Sequence, residues 1–403
     1  MKKISGNVTA PKGYLASGIY CGIRKNKSKK DLALIYSDRP AATAGVYTTN
    51  LVKGAPILVT KEHIKDGFCR AIICNSGNAN TCNKDGVAVA EAMCEALAKE
   101  LGIESERVAI ASTGVIGQPL PLDVICAGIP KLREELSPDG GDDAASAILT
   151  TDLVKKEIAV EFELSGVPCR IGGIAKGSGM IKPNMATMLA VVTSDVQIAP
   201  ELLQKMVKSV ADESFNCISV DGDTSTNDTL LVMANGAAGA PEVTETEGYE
   251  VFYEALSTVC THLAREMARD GEGATKLVVC EVSGGETREQ CTKLAKSVIE
   301  SNLVKAAMFG ADANWGRVLC ALGYAGVTVD VTKIDVCFRS AAGEVPVCAG
   351  GYGIDFSEEQ AKQVLSEDEI TIGVALHAGE ASGVAYGCDL TYDYVKINGD
   401  YRT

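Results

Sequence analysis

Short apolar runs rich in β-branched residues alternate along this chain with longer segments whose apolar positions recur every three or four residues. The runs at 70–75, 107–112, 158–163, 187–193, 229–234, 277–283, 334–338 and 370–376 predict strands. Helical spacing covers 85–101, 200–213, 248–269, 287–304 and 358–366. Two of these helices carry start signals, Pro200 with Glu201 and Ser357 with Glu358 and Glu359. Proline fits the first helical turn, and acids suit the positive end of the helix dipole. The alternation predicts an α/β or α+β fold. The polar, glycine-bearing stretch Ser283-Gly-Gly-Glu-Thr-Arg-Glu-Gln290 suggests a boundary between a larger domain, 1–283, and a smaller C-terminal α/β domain, 284–403. The run from Ser137 to Asp143 reads as an exposed loop, and no internal repeat or low-complexity tract is visible.

One junction in this pattern carries chemistry. In Lys176-Gly-Ser-Gly-Met-Ile-Lys-Pro-Asn-Met-Ala-Thr187, two glycines and a proline lead into the strand predicted at 187–193. Glycine opens backbone angles closed to other residues, and Pro183 holds Lys182 extended, so the Thr187 hydroxyl falls at the mouth of a strand. A threonine hydroxyl needs a base to become a nucleophile, and a chain break before it would leave its own α-amine as that base. Such an amine titrates at about 7.7–8.0, so a neutral fraction exists at neutral pH. The same pattern also fits an ordinary turn leading into a core strand, with Thr187 a half-buried β-former.

Composition narrows the chemistry. The 403 residues, 46% hydrophobic and 23% charged, suffice for a large core and two or three domains. With 38 basic and 53 acidic residues the net charge is −15, which disfavours nucleic acid and anionic membranes as partners. No stretch has the length of a membrane span, and Ile4 to Tyr14 lacks a signal-peptide core, so a cytoplasmic protein is expected. Fifteen cysteines contain no Cys-x-x-Cys pair, and most, including Cys94, Cys260, Cys280, Cys320 and Cys337, sit in apolar segments. They read as small buried hydrophobes in a reducing compartment, with no metal site. His63, His262 and His377 are the only histidines, which disfavours a zinc cluster or a Ser/His/Asp triad. A base other than histidine is favoured, such as the α-amine of a processed Thr187.

Other polar segments lie at strand ends. Asn75-Ser-Gly-Asn-Ala-Asn80 and Ser112-Thr113-Gly114-Val-Ile-Gly117 each follow a predicted strand, and such loops can present backbone N–H groups and the Thr113 hydroxyl to a developing oxyanion. Asp221-Gly-Asp-Thr-Ser-Thr-Asn-Asp228 alternates acids as a cation loop does but lacks the closing glutamate of an EF-hand, so calcium is not expected. Asp270-Gly-Glu272-Gly-Ala-Thr-Lys276 ends a long helix and can offer a carboxylate to a cleft.

These segments, together with Thr150-Thr151-Asp152, Phe309-Gly-Ala-Asp-Ala-Asn-Trp-Gly-Arg317, Gly387-Cys-Asp-Leu-Thr391 and the closing Asp400-Tyr-Arg-Thr403, occur in the order characteristic of the ornithine acetyltransferase family. The chain resembles that family, also called glutamate N-acetyltransferases, from about Gly6 to Thr403. The resemblance implies a layered αββα-type sandwich like that of N-terminal-nucleophile enzymes. It implies self-cleavage between Ala186 and Thr187 into an α chain, 1–186, and a β chain, 187–403, assembled as α2β2. Thr187 would be the nucleophile, Thr113 and Gly114 the oxyanion hole, and Thr150, Lys176, Thr187, Glu272, Asn398 and Thr403 the substrate contacts. The implied reaction moves an acetyl group from N-acetylornithine to glutamate in arginine biosynthesis, without a cofactor. Acetyl-CoA is an additional donor in some members of the family. A self-processing aminopeptidase or amidase would share Thr187 and differ in its acceptor, and a non-enzymatic binding protein would remain one uncut chain.

Overall fold

A computed structural model describes residues 1–182 and 188–400. The chain divides into two compact units: residues 1–177, 183–216 and 224–263 form one, and residues 178–182, 217–223 and 264–403 the other.

The first unit is built on one mixed sheet. Its nine described strands run in the order Lys2–Ile4, Lys156–Leu164, Val167–Lys176, Leu189–Ser194, Thr229–Ala234, Leu32–Tyr47, Phe68–Asn75 and Val108–Ser112, with Tyr14–Ile19 paired to Leu32–Tyr47. The central strands are continuously apolar because both faces are covered. Ala71, Ile73, Val108 and Ile110 pack against Ala90, Met93, Cys94 and Leu97 of helix Gly86–Leu101 and Ile125 and Ile129 of helix Leu122–Glu134. Ile72, Cys74, Ala109 and Ala111 face the other way, onto Ala144, Ala145 and Ile148 of helix Gly141–Ile148. That helix corrects the loop expected over 137–143. Gly140 and Gly141 begin it in close quarters, where a Cβ would strike the Ala16 carbonyl oxygen and the Asn7 side chain respectively.

The second unit carries a six-stranded sheet in the order Tyr352–Gly353, Gly343–Ala349, Asp335–Ser340, Glu369–Ala375, Leu277–Gly285 and Ala381–Cys388. Here alternation is plain. Ile370, Ile372 and Val374 point into the core while Glu369, Thr371, Gly373 and Ala375 do not. Leu294, Val298, Val304, Met308, Val318 and Val364 from four helices close that core. The helix expected over 287–304 forms as two, Arg288–Glu300 and Asn302–Phe309, because Ser301 is extended and its hydroxyl accepts from the Val304 amide as the cap of the second. The mixed α/β sandwich matches the class the sequence predicts.

Candidate active site

Strands Phe68–Asn75 and Val108–Ser112 are parallel and in register up to Asn75 opposite Ser112. The two polar loops that follow therefore leave the same edge of the sheet. They are knitted together: the Thr113 amide donates to the Asn75 carbonyl at 3.0 Å and the Ala79 amide to the Val115 carbonyl at 3.0 Å. The Ser112 hydroxyl donates to Asn75 Oδ1 at 2.5 Å. Gly114 sits at φ +133°, and a Cβ there would run into the Gly77 carbonyl carbon and the Asn78 amide nitrogen. Only glycine allows this approach. Since the Thr113 amide is engaged, the half-buried Thr113 can offer its hydroxyl and Gly114 its amide, which has no acceptor among the described residues.

A buried charge cluster stands behind the Thr113 hydroxyl. Lys176 ends strand Val167–Lys176, is 6% exposed, and its Nζ donates to Thr113 Oγ1 at 3.4 Å. Asp152 is the hub of the neighbouring loop. Its Oδ1 accepts from the Gly177 amide at 2.7 Å and from Lys156 Nζ at 2.6 Å, and its Oδ2 from the Thr150 amide at 3.0 Å and hydroxyl at 3.4 Å. The Lys156 and Asp152 side chains are wholly shielded from solvent. Burial pushes the Asp152 carboxyl up, but the Lys176 and Lys156 charges and the Lys156 hydrogen bond override it and hold the group well below the usual carboxylate range.

The 221–228 segment, suggestive of a cation loop in sequence, is scaffolding. Asn227 Nδ2 donates to the carbonyls of Ala79 at 2.6 Å and Ser112 at 2.9 Å, while its Oδ1 accepts from the Thr81 and Thr226 hydroxyls. It thereby ties both strand-end loops to the start of strand Thr229–Ala234. Asp228, the next residue, is buried, and among the described residues neither carboxylate oxygen has a partner in hydrogen-bonding geometry. It precedes Thr229, which pairs with Leu189, and the Thr229 amide donates to the Met188 carbonyl at 2.9 Å. Burial pushes the Asp228 carboxyl well up, against the nearby Met188 backbone, Thr48 hydroxyl and Lys176 charge.

The second unit holds the remaining described residues. Glu272, 8% exposed, follows helix Tyr249–Arg269; its amide donates to the Ser178 carbonyl at 2.8 Å, and its Oε2 accepts from Asn398 Nδ2 at 2.8 Å. Asn398 lies on helix Tyr392–Gly399. A Cβ on Gly179 would collide with the Glu272 carboxylate, which accounts for the second glycine of the 176–179 run. Asp221 accepts from the amides of Met180 at 2.6 Å and Ile181 at 2.9 Å and from the Tyr394 hydroxyl at 3.2 Å. Those bonds hold Met180 at φ +56°, an uncommon angle for a side-chain-bearing residue.

Of the site residues named from sequence, Thr113, Gly114, Thr150 and Lys176 are brought together in the first unit, and Glu272 and Asn398 in the second. Ala186, Thr187 and Thr403 lie outside the described residues. Asp152, Lys156, Asn227 and Asp228 were not read as functional. Asp152 stood only within the Thr150-Thr151-Asp152 motif, Asn227 and Asp228 only within the cation-like 221–228 segment, and Lys156 gave no local signal. Among the described residues, no three His, Cys, Asp or Glu side chains are arranged to hold a metal. His63 sits between the Val108 carbonyl and Glu91, and His377 pairs with Asp335 at 2.7 Å. Cys94, Cys260 and Cys280 are buried as expected, but Cys320 is exposed: Val318, Ala321 and Leu322 form the inward stripe of its helix. Among the described residues no helix is long and apolar enough to cross a membrane.

A glycine loop that can offer a hydroxyl and an amide without an acceptor among the described residues, beside a buried ammonium, has the kind of donors that acyl transfer requires. The model of the ArgJ family matches residues 15–403, and the chain belongs to that family. It is 50% identical over 406 residues to the arginine biosynthesis bifunctional protein ArgJ of Symbiobacterium thermophilum, covering 100% of both chains. It is 47% identical over 404 residues to the protein of the same name from Bacillus subtilis, covering 100% of this chain and 98% of that one. Among solved structures, the ornithine acetyltransferase of Mycobacterium tuberculosis complexed with ornithine is similar at 39% identity and a TM-score of 0.43, over 45% of this chain and 98% of that one.

Proposed function

We propose that this chain is the ornithine acetyltransferase of an arginine-biosynthesis pathway, acting through a self-generated N-terminal Thr187. The observation that carries the reading is the pairing of the Thr113 hydroxyl with a free Gly114 amide on one strand-end loop, a two-donor cradle for an oxyanion. In the precursor, the Thr187 hydroxyl attacks the Ala186 carbonyl carbon, the C–N bond breaks as an ester forms, and water hydrolyses the ester. The products are an α chain, 1–186, and a β chain, 187–403, with a free amine on Thr187. That amine then takes the hydroxyl proton as Thr187 attacks the acetyl carbonyl of N-acetylornithine. Ornithine leaves with the proton on its nitrogen, and the glutamate amine attacks the acetyl ester to release N-acetylglutamate.

Thr150, Lys176, Glu272, Asn398 and Thr403 are the proposed substrate contacts. Glu272, oriented by Asn398, suits a substrate ammonium, and Lys176 a substrate carboxylate. The chemistry calls for no cofactor. The word bifunctional in the relatives' name supports acetyl-CoA as a second donor, and an α2β2 assembly of the cut chains is part of the same reading. The test is an acetyl-transfer assay of wild type and Thr187→Ala, with N-acetylornithine and acetyl-CoA offered separately and glutamate as acceptor, beside denaturing electrophoresis. Two bands and glutamate-dependent transfer are expected for wild type, and a single 42.1 kDa band without transfer for Thr187→Ala. Transfer surviving in Thr187→Ala would sink the nucleophile, and hydrolysis outpacing transfer in saturating glutamate would favour an amidase.

A further inference from the structure

Lys156 and Asp152 form an ion pair with no solvent access, reached through an i,i+4 step. Pairs this deeply buried rarely stabilise a fold more than apolar residues of the same volume, so their presence calls for another reason. The contacts of Asp152 supply one. Besides Lys156, its carboxylate accepts from Thr150 and from the amide of Gly177, the residue that follows Lys176. Two ammonium groups therefore stand within electrostatic reach of one carboxylate. Lys156 takes the direct bond at 2.6 Å, and the Lys176 ammonium meets the Thr113 hydroxyl instead.

We infer that the buried Asp152–Lys156 pair is a positioning device that holds the Lys176 ammonium on the Thr113 hydroxyl, where Lys176 strengthens that hydroxyl as an oxyanion donor. An ammonium donating to the lone pair of Oγ1 leaves the hydroxyl proton to point elsewhere and makes it a stronger donor. Without Lys156, Asp152 would draw Lys176 to itself and away from Thr113. Lys176 is then part of the oxyanion machinery and not solely a counter-ion for substrate, and Asp152 and Lys156 act through it. The inference rests on the acetyl-transfer reading given above.

The test is a double-mutant cycle between Lys156→Met and Thr113→Val, read as the rate of transfer from N-acetylornithine to glutamate per cleaved chain and as the rate of self-cleavage on denaturing gels. Lys156→Met is expected to lower kcat at least tenfold, beside any rise in KM from the displaced Lys176, and to cost less than twofold in kcat once Thr113 is valine. Equal losses in both backgrounds, or no loss where Thr113 is present, would overturn the inference. A purely structural role would lower the melting temperature and the folded yield alike in both backgrounds. If Lys156→Met does not fold, Asp152→Asn enters the same cycle with the same expected coupling. Wild-type protein that fails to transfer acetyl groups would sink the functional reading, whereas transfer with an uncoupled cycle would sink this inference alone.

Discussion

Asn227 donates its side-chain amide at 2.9 Å to the carbonyl of Ser112, the residue immediately before Thr113. The same nitrogen reaches the Ala79 carbonyl at 2.6 Å, so one side chain braces both loops at the strand ends. Asn227→Ala removes one donor from the Ala79 and Ser112 carbonyls and one acceptor from the Thr81 and Thr226 hydroxyls, though the Thr81 hydroxyl still donates to Ala79 and accepts from Thr226, so only one or two groups are left poorly satisfied. Orphaned buried groups cost about 1–3 kcal/mol each. The variant should lose about 2–4 kcal/mol of stability and slow both cleavage and acetyl transfer at least tenfold, as read by urea denaturation and the transfer assay. Full activity in Asn227→Ala would show that the oxyanion loop holds its shape without the brace.

Gly114 tests the same loop from the backbone side. At φ +133°, with a Cβ directed into Gly77 and Asn78, alanine cannot be accommodated unless the 75–80 loop moves. Gly114→Ala should therefore displace the amide proposed to hold the oxyanion and block self-cleavage, giving one band on denaturing electrophoresis from a folded, soluble chain. Gly102, at φ +66° with open space around it, is the matched control, because alanine there meets backbone strain alone. Gly102→Ala should cleave at the wild-type rate.

Asp228 makes a pH-dependent prediction. Its burial raises the folded carboxyl well above the ordinary value, with the Met188 backbone, Thr48 hydroxyl and Lys176 charge opposing. Between the unfolded value, about 3.9, and the higher folded value, the folded chain keeps a proton that the unfolded chain has released. Stability contributed by this group therefore falls as pH rises through that window. Asp228→Asn removes the titration, so the variant should gain on wild type as pH rises above about 4 and the difference should close again in acid. Denaturation midpoints of both proteins across that range check the sign. Parallel curves would mean that Asp228 titrates alike in folded and unfolded chains.

Elements whose residues all share one preference were legible in the sequence. The apolar run at 229–234 and the helical spacing at 200–213 coincide with strand Thr229–Ala234 and helix Pro200–Glu213. Strand Leu32–Tyr47 was not legible, because its ladder breaks between Tyr36 and Ala41, around the exposed Asp38, Arg39 and Pro40. Strand Val167–Lys176 was hidden by Pro168, Gly172 and Gly173. A Cβ on Gly172 would strike the Asn7 carbonyl, and one on Gly173 would lie 2.9 Å from Leu263, so packing selects residues that strand propensity disfavours. The site divides in the same way. Thr113 and Gly114 stand out locally as a loop after a strand, whereas Asp152, Lys156 and Asn227 act through partners 25 to 148 positions away in the chain or through burial, and no local pattern reports either.

Glu272 and Asn398 separate binding from chemistry. Asn398 Nδ2 donates to Glu272 Oε2 at 2.8 Å and is the side chain that orients a carboxylate only 8% exposed. Self-cleavage needs no amino-acid substrate, so it should proceed normally in Asn398→Ala. N-acetylornithine carries a free side-chain ammonium besides its acetylated nitrogen, and a misoriented Glu272 would weaken the proposed hold on that ammonium, whereas the amine of glutamate is the attacking nucleophile and is not held there. Loss of one hydrogen bond to a charged group is worth about 1.5–3 kcal/mol, so KM for N-acetylornithine should rise about tenfold or more, with kcat and the KM for glutamate changed less. Electrophoresis and steady-state kinetics on the same preparation decide the matter. An uncut Asn398→Ala chain would move Asn398 from substrate binding to maturation, and an unchanged KM would remove Glu272 from the proposed ammonium site.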